Sequence, residues 1–367
     1  MSNNLEQIFE VSKQHGVFET GGSHGQQGVD FQRFWAIKRM MELEEKGVED
    51  FLILFEAIQD ISELNSSTQP DAIKIYQVKK KGRNDWSWNK LTGLKKPNAK
   101  KQDHSKIKES LVGKLYEAVF KIKEMDVEGI FISDQRCDIP LKNGGNVATS
   151  NQTSVDLIDD CYKSQLNEAL EDSYGFEQLS GKIGLIKFDK TDFLAESAQI
   201  HLTGLAYEYI KKKSPNHAAQ ASSFISAILK VIGPLGAKSD QCHSLEEMIA
   251  EKSYSKKQFV ENVKDLETIP DVTKYLDRYL VALEGEEDFH TITNIQSKVL
   301  EYYRNRLESS DNKELEELID HHISQYGPVY KLKDFLDFMC EKIKSYGLED
   351  NEVKAISIIR VIENAKA

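Results

Sequence analysis

The chain has 367 residues, 40% of them hydrophobic, enough to bury a sizeable core in two domains or one large one. Its net charge of −12 disfavours a polyanionic partner unless cations are concentrated locally. No apolar run approaches the roughly eighteen residues of a membrane span, and residues 1–15 lack the basic and apolar regions of a secretion signal. Cys137, Cys161, Cys242 and Cys340 form no CxxC pair, which argues against a zinc site or disulfide framework and leads us to expect a soluble cytoplasmic protein.

The first notable segment is the glycine-rich run Gly21-Gly22-Ser23-His24-Gly25-Gln26-Gln27-Gly28. Its backbone can approach a phosphate, but no Gly-Lys-Ser/Thr follows, so it is no Walker A loop; a lead-in to a helix is the simpler reading. Phe31, Phe34, Trp35, Ile37 and Met41 recur at helical steps, with Asp30 as a candidate cap. The apolar run Phe51–Phe55 predicts a buried strand leading into Glu56-Ala57-Ile58-Gln59-Asp60-Ile61. Residues 65–71 are dense in turn formers, and Ala72–Lys79 alternates as a strand. The two strands are expected to pair as an antiparallel hairpin with a longer loop.

Between Lys74 and Lys114 thirteen Lys or Arg stand against three acids, a surplus of ten positive charges in an acidic chain. Such a stretch can steer a polyanion to one face, or be a solvated loop. Trp86 and Trp88 lie within it, suited either to contact DNA or to anchor the loop to the core. An amphipathic helix is expected over 105–125, with Ile107, Leu111, Leu115, Val119 and Ile122 on one stripe. A strand is expected over 127–133, a helix over 154–173 and a strand over 183–188, which together predict a mixed α/β layer. From about 195 onward every periodic stretch reads as helix, including 275–283, 299–307, 315–323 and 332–343. The expected organisation is an α/β domain over 1–200 and an all-α domain over 201–367. His321-His322 is a poor chelating pair, because adjacent helical positions point about 100° apart.

If the first strand continues through Glu56 and Asp60, alternation puts both on one face, as it does Gln77 and Lys79 on the next strand. Phosphodiester hydrolysis needs ligands for a hard cation, a positioned water and positive charge near the scissile phosphate. Asp60 can bind Mg2+ (or Mn2+) directly. Gln77 can offer its side-chain oxygen, and Val78 its carbonyl. Glu56 can bind a second ion or orient a metal-bound water. Lys79 can hold the attacking water or stabilise the developing charge. Lys80, Lys81, Arg83, Lys95, Lys96, Lys100 and Lys101 are the candidate DNA contacts.

Asp60 followed by Gln77-Val78-Lys79 resembles the PD-(D/E)xK nuclease pattern, with Gln in place of the usual acid. The wider string includes Gly25-Gln26-Gln27-Gly28-Val29-Asp30-Phe31-Gln32, Phe55-Glu56-Ala57-Ile58-Gln59-Asp60 and Tyr76-Gln77-Val78-Lys79. It resembles more closely the double-stranded DNA endonuclease domain of a bacterial antiphage family, found in some CBASS effectors and in relatives encoded beside HerA-type ATPases. The resemblance covers roughly residues 15–200, with its specific motifs within 22–80. It implies a restriction-endonuclease-like α/β fold and Mg2+-dependent cleavage of double-stranded DNA in phage defence, with Gln32 near the active centre. CBASS effectors of this family carry a mixed α/β SAVED domain, whereas residues 201–367 read as helix. Together with the run of amphipathic helices, the resemblance leads us to expect homo-oligomerisation or docking of a HerA-like ATPase for that region; the lack of a long apolar run leads us to expect no membrane partner. Two other readings are a non-catalytic DNA-binding or adaptor module and a nuclease whose helical domain senses a nucleotide signal. The joint presence of Asp60, Gln77 and Lys79 argues for catalysis.

Overall fold

The computed structural model describes residues 3–14, 26–175, 183–193, 196–236, 242–268, 272–305, 313–326 and 331–365. His15 and most of the glycine-rich run, 21–25 with His24, lie outside them. Helices α1 (Asn3–Ser12) and α2 (Gln26–Glu45) precede a meander of β1 (Leu52–Phe55), β2 (Ile61–Leu64) and β3 (Ala72–Lys79). Then come β4 (Trp86–Ser87), α3 (Trp88–Thr92), α4 (Leu111–Lys121), β5 (Asp126–Ser133), β6 (Cys137–Asp138), β7 (Gln152–Ser154), α5 (Asp160–Tyr174) and β8 (Ile186–Lys190). The chain continues through α6 (Ala198–Lys213), α7 (Ala221–Ile232), α8 (Leu245–Lys252), β9 (Ser253–Ser255) and α9 (Lys256–Thr268). It closes with α10 (Thr273–Val281), α11 (Phe289–Asn305), α12 (Lys313–Tyr326), α13 (Leu332–Ile343) and α14 (Asp350–Asn364).

The chain divides into two compact units. The first comprises 1–202 and 229–260, so the chain leaves it near 202 and later returns, where the sequence reading ended it at 200. Its seven-stranded sheet has the order β7-β8-β5-β3-β2-β1-β9. β1, β2 and β3 are antiparallel neighbours, while β5 runs parallel to both β3 and β8. The expected two-strand hairpin is therefore a three-strand meander. Residues 61–64 form a strand between the two foreseen, and the turn formers at 65–71 join β2 to β3. β9 adds an antiparallel edge to β1, pairing Ile53 with the fully buried Tyr254, within a region expected to be all helix.

Two helical layers sandwich the sheet. α2 packs against β3, with the Trp35 and Tyr76 rings 4.6 Å apart. It begins at Gln26, so Asp30 lies inside the helix and is not its cap. α4 covers the other face, where Leu115 and Val119 share a core with Ile73, Ile75 and Phe131. Its approach depends on Gly129 of β5, where a Cβ would lie 2.9 Å from Leu115 and 3.0 Å from Val119. The helix expected over 105–125 is interrupted at Ser110, whose hydroxyl caps α4 by accepting from the Gly113 amide at 3.0 Å.

The second unit, 203–228 with 261–367, is helical among its described residues. α14 is its centre: Val353, Ile356, Ile358, Ile359 and Ile362 are buried in one core with residues of α10 to α13. The capping box of Glu349 and Glu352 starts the helix by satisfying backbone donors reciprocally. Near its end Arg360 is ion-paired to Asp320, Glu316 and Glu363. Among the described residues no helix is long and apolar enough to cross a membrane.

Candidate functional site

The geometry that joins the candidate residues begins where β1 stops. Glu56 and Gln59 adopt positive φ of 50° and 54°, which strand residues do not, so the chain turns after Phe55. Glu56 N donates to the Asp60 carbonyl at 3.0 Å and closes the loop. The expected shared strand face for Glu56 and Asp60 therefore does not exist; they stand at the two ends of a tight turn.

The turn delivers Asp60 to β3. Ile61 is paired with Tyr76, so the Val78 amide lies beyond that ladder and donates to Asp60 Oδ2 at 2.6 Å. Lys79 Nζ lies 2.9 Å from Asp60 Oδ1. Both residues are buried, Asp60 at 1% exposure and Lys79 at 5%. A charge removed from water needs an opposite charge and hydrogen bonds, and each carboxylate oxygen receives one.

Two glutamines complete the cluster. Gln77 is fully buried, and its Nε2 donates to Gln59 Oε1 at 3.0 Å. Gln32, on α2, donates from Nε2 to the Val78 carbonyl at 3.4 Å, which brings it beside β3. The side-chain oxygens of Gln32 and Gln77 are buried without a hydrogen-bond partner among the described residues. Among those residues no group of three or more His, Cys, Asp or Glu could hold a metal. A hard cation at Asp60 would draw further ligands from amide and carbonyl oxygens. The two orphaned oxygens and the Val78 carbonyl fit that chemistry.

Glu56 faces a different neighbourhood. Lys252 Nζ, on α8, donates to the Glu56 carbonyl at 3.1 Å. Burial lowers the Lys252 pKa, opposed by the charges of Cys242, Glu56 and Glu251. Burial also lowers that of Arg33, opposed by Glu56 and Asp30. Arg33 donates to the carbonyls of Ile232, Gly233 and Leu235 at 3.2, 3.2 and 2.6 Å, satisfying the C-terminal end of α7. Gly236 follows at φ 71°, so close that a Cβ would lie 2.8 Å from both the Phe55 carbonyl oxygen and Glu56 Cβ. Sequence reasoning missed Arg33, Gln59, Gly236 and Lys252. Only Gln59, between the two acids, carried a local signal.

The basic stretch divides into a tethered and an open part. Lys80 donates to Gln27 at 2.9 Å, and Lys81 lies 4.6 Å from the centre of the Trp86 ring. Asp134 shapes this turn by accepting from the Lys81 and Gly82 amides at 2.8 and 3.0 Å. Arg83, Lys95, Lys96, Lys100 and Lys101 are exposed. Both tryptophans anchor the segment: Trp88 donates to Gln165 at 2.9 Å and Trp86 to Ser133 at 2.8 Å. Burial pushes the Cys137 thiol up to about 12, so it is no nucleophile at neutral pH. A polar cavity of about 500 Å³ lies on the α2 side, bordered by Lys38, Arg39 and Asp189, but Asp60 and Lys79 do not line it.

Compared with known families, residues 20–233, more than half of the chain, match the family described as Cap4, dsDNA endonuclease domain. Comparison with curated proteins gives no match. Comparison with solved structures gives none either.

The contact of Gly236 with the Glu56 turn predicts that Gly236→Ala is destabilising. A side chain there meets backbone atoms and requires a left-handed φ, at a cost of about 1–3 kcal/mol. Denaturant unfolding should show a lowered midpoint, and an unchanged midpoint would refute the contact's structural weight.

Proposed function

Because the chain belongs to the Cap4 dsDNA endonuclease domain family, which makes it a DNA nuclease of antiphage defence, we propose that its phosphodiesterase centre is built on Asp60, Gln77 and Lys79 with a divalent metal. The single observation that carries this reading is the buried Asp60–Lys79 pair beside two unsatisfied amide oxygens. Asp60, Gln77 and the Val78 carbonyl would hold Mg2+ or Mn2+, and Gln32 lies beside them. The bound ion would supply Lewis-acid polarisation of the phosphate and a water of lowered pKa. Lys79 Nζ holds the attacking water or donates a hydrogen bond to the charge developing on the phosphate oxygens. Glu56, at the far end of the turn, orients a water or binds a second ion. The fold is of the restriction-endonuclease type, with α2 and α4 on opposite faces of a sheet whose central strands carry the chemistry.

DNA is held through the exposed cations of the stretch after Lys79. Phosphate contacts release condensed counterions, so affinity falls steeply with salt and carries little sequence preference. The second unit, 203–228 with 261–367, serves self-assembly or docking of a HerA-like ATPase. The exposed Val281, Phe289 and Tyr346 support this, since helices can bury apolar surface against a partner.

Three outcomes follow. Lys79→Ala and Lys79→Arg should both abolish Mg2+-dependent cleavage of plasmid DNA, while DNA affinity stays near that of the parent. Lys79→Ala should also cost about 3–5 kcal/mol of stability by leaving buried Asp60 without its counter-charge. Cleavage by Lys79→Ala at the parental rate would place the centre elsewhere. Reversing Lys95, Lys96, Lys100 and Lys101 to Glu should weaken binding to all DNA sequences alike and flatten the salt slope; an unchanged slope would remove this segment from the interface. In light scattering the full chain should be larger than a monomer at micromolar concentration, alone or with a HerA-like ATPase. A monomer under both conditions would exclude the assembly role.

A further inference from the structure

Gln59 sits on the turn between Glu56 and Asp60, fully buried and at a left-handed φ of 54°. Its side-chain oxygen accepts from Gln77 Nε2 at 3.0 Å. A primary amide has one donor end and one acceptor end. With the NH2 end of Gln77 engaged, its oxygen is committed to the other side, where it is buried and finds no hydrogen-bond partner among the described residues. Leaving such an oxygen unbonded costs free energy. A carboxylate at position 77 would need no such arrangement, because both its ends are acceptors.

We propose that Gln59 is a positioning residue that sets the Gln77 amide so that its oxygen, and not its NH2, is presented to the metal held by Asp60. The inference rests on the metal reading above. An amide turned the other way would aim N–H donors at a cation, so the orientation decides between attraction and repulsion. Gln59 is itself held in place by its turn. Glu56 N to the Asp60 carbonyl and Ser62 Oγ to the Ile58 carbonyl, each 3.0 Å, fasten it on both sides. The carboxylate and the group that orients its companion amide thus belong to one short loop. Gln32 repeats the arrangement, with its NH2 on the Val78 carbonyl and its oxygen unpartnered among the described residues.

The test is direct Mn2+ binding to the full chain, read by electron paramagnetic resonance without DNA or turnover. Gln59→Leu removes the acceptor and should weaken Mn2+ affinity about tenfold or more, as loss of a group that orients a ligand does. Gln59→Glu keeps an acceptor and should bind within about threefold of the parent. Gln77→Glu supplies its own acceptors, so adding Gln59→Leu to it should cost less than about threefold. If Gln59→Leu does not fold, Gln59→Asn, which withdraws the acceptor by one methylene, carries the same expectation. Parental affinity in Gln59→Leu, or an equal loss from Gln59→Leu in the parent and in the Gln77→Glu variant, would overturn the proposal, as would Gln59→Glu binding as weakly as Gln59→Leu. Asp60→Ala separates the two levels. If it retains parental Mn2+ affinity, the metal reading falls and this inference with it. If it loses Mn2+ while Gln59→Leu does not, the inference alone fails.

Discussion

Two opposite charges buried 2.9 Å apart, Asp60 and Lys79, set the terms for the first unit. Each loses its hydration on folding, a cost of several kcal/mol per ion that attraction alone does not recover. The remaining compensation has to come from neighbours held in place. The Val78 amide gives one hydrogen bond, and it is available because the β2–β3 register places it beyond the end of that ladder. The register in turn requires β1 to end at Phe55 and the chain to turn before Ile61. The meander and the left-handed positions at Glu56 and Gln59 are therefore parts of one arrangement.

That turn is braced from far along the chain. Lys252 holds the Glu56 carbonyl, Gly236 lies against Phe55 and Glu56, and Arg33 fixes the stretch of backbone that carries Gly236. β9 completes the sheet beside β1. These contacts explain why the first unit does not close at residue 202 but takes back 229–260. The loop that carries Asp60 would otherwise have its outer side exposed, and a strained backbone persists only where its surroundings determine it.

The charge distribution follows the same division of labour. Of the cations near β3, Lys79 is consumed by the buried pair, and Lys80 and Lys81 are held by Gln27 and Trp86. Beyond them, Arg83, Lys95, Lys96, Lys100 and Lys101 remain exposed on a segment whose tryptophans are fixed in or against the core. Under the proposed function these exposed cations would offer a polyanion a local basic surface in a protein whose net charge is −12.

Local pattern determined a good part of this protein. Apolar runs and alternation placed β1, β3 and β5, because a strand buried against helices leaves that signature in a few consecutive residues. Four helices of the second unit were legible by the same logic at a period of about 3.6, as was the cation surplus after Lys79. The motif Asp60 with Gln77-Val78-Lys79 was visible because all of its residues fall within one meander. The β2 strand was hidden, since four residues between two turns carry too little periodicity to distinguish them from loop. The turn at Glu56 was hidden because nothing local forbade the strand from continuing; it is imposed by Asp60 reaching Val78 and Lys79. Only the tertiary structure could assign Arg33, Gly236 and Lys252, whose partners lie about 200 residues away, and could show that Gln59 faces Gln77. What each segment prefers alone is written in its own residues, whereas burial of charges and amides depends on which distant groups arrive to satisfy them.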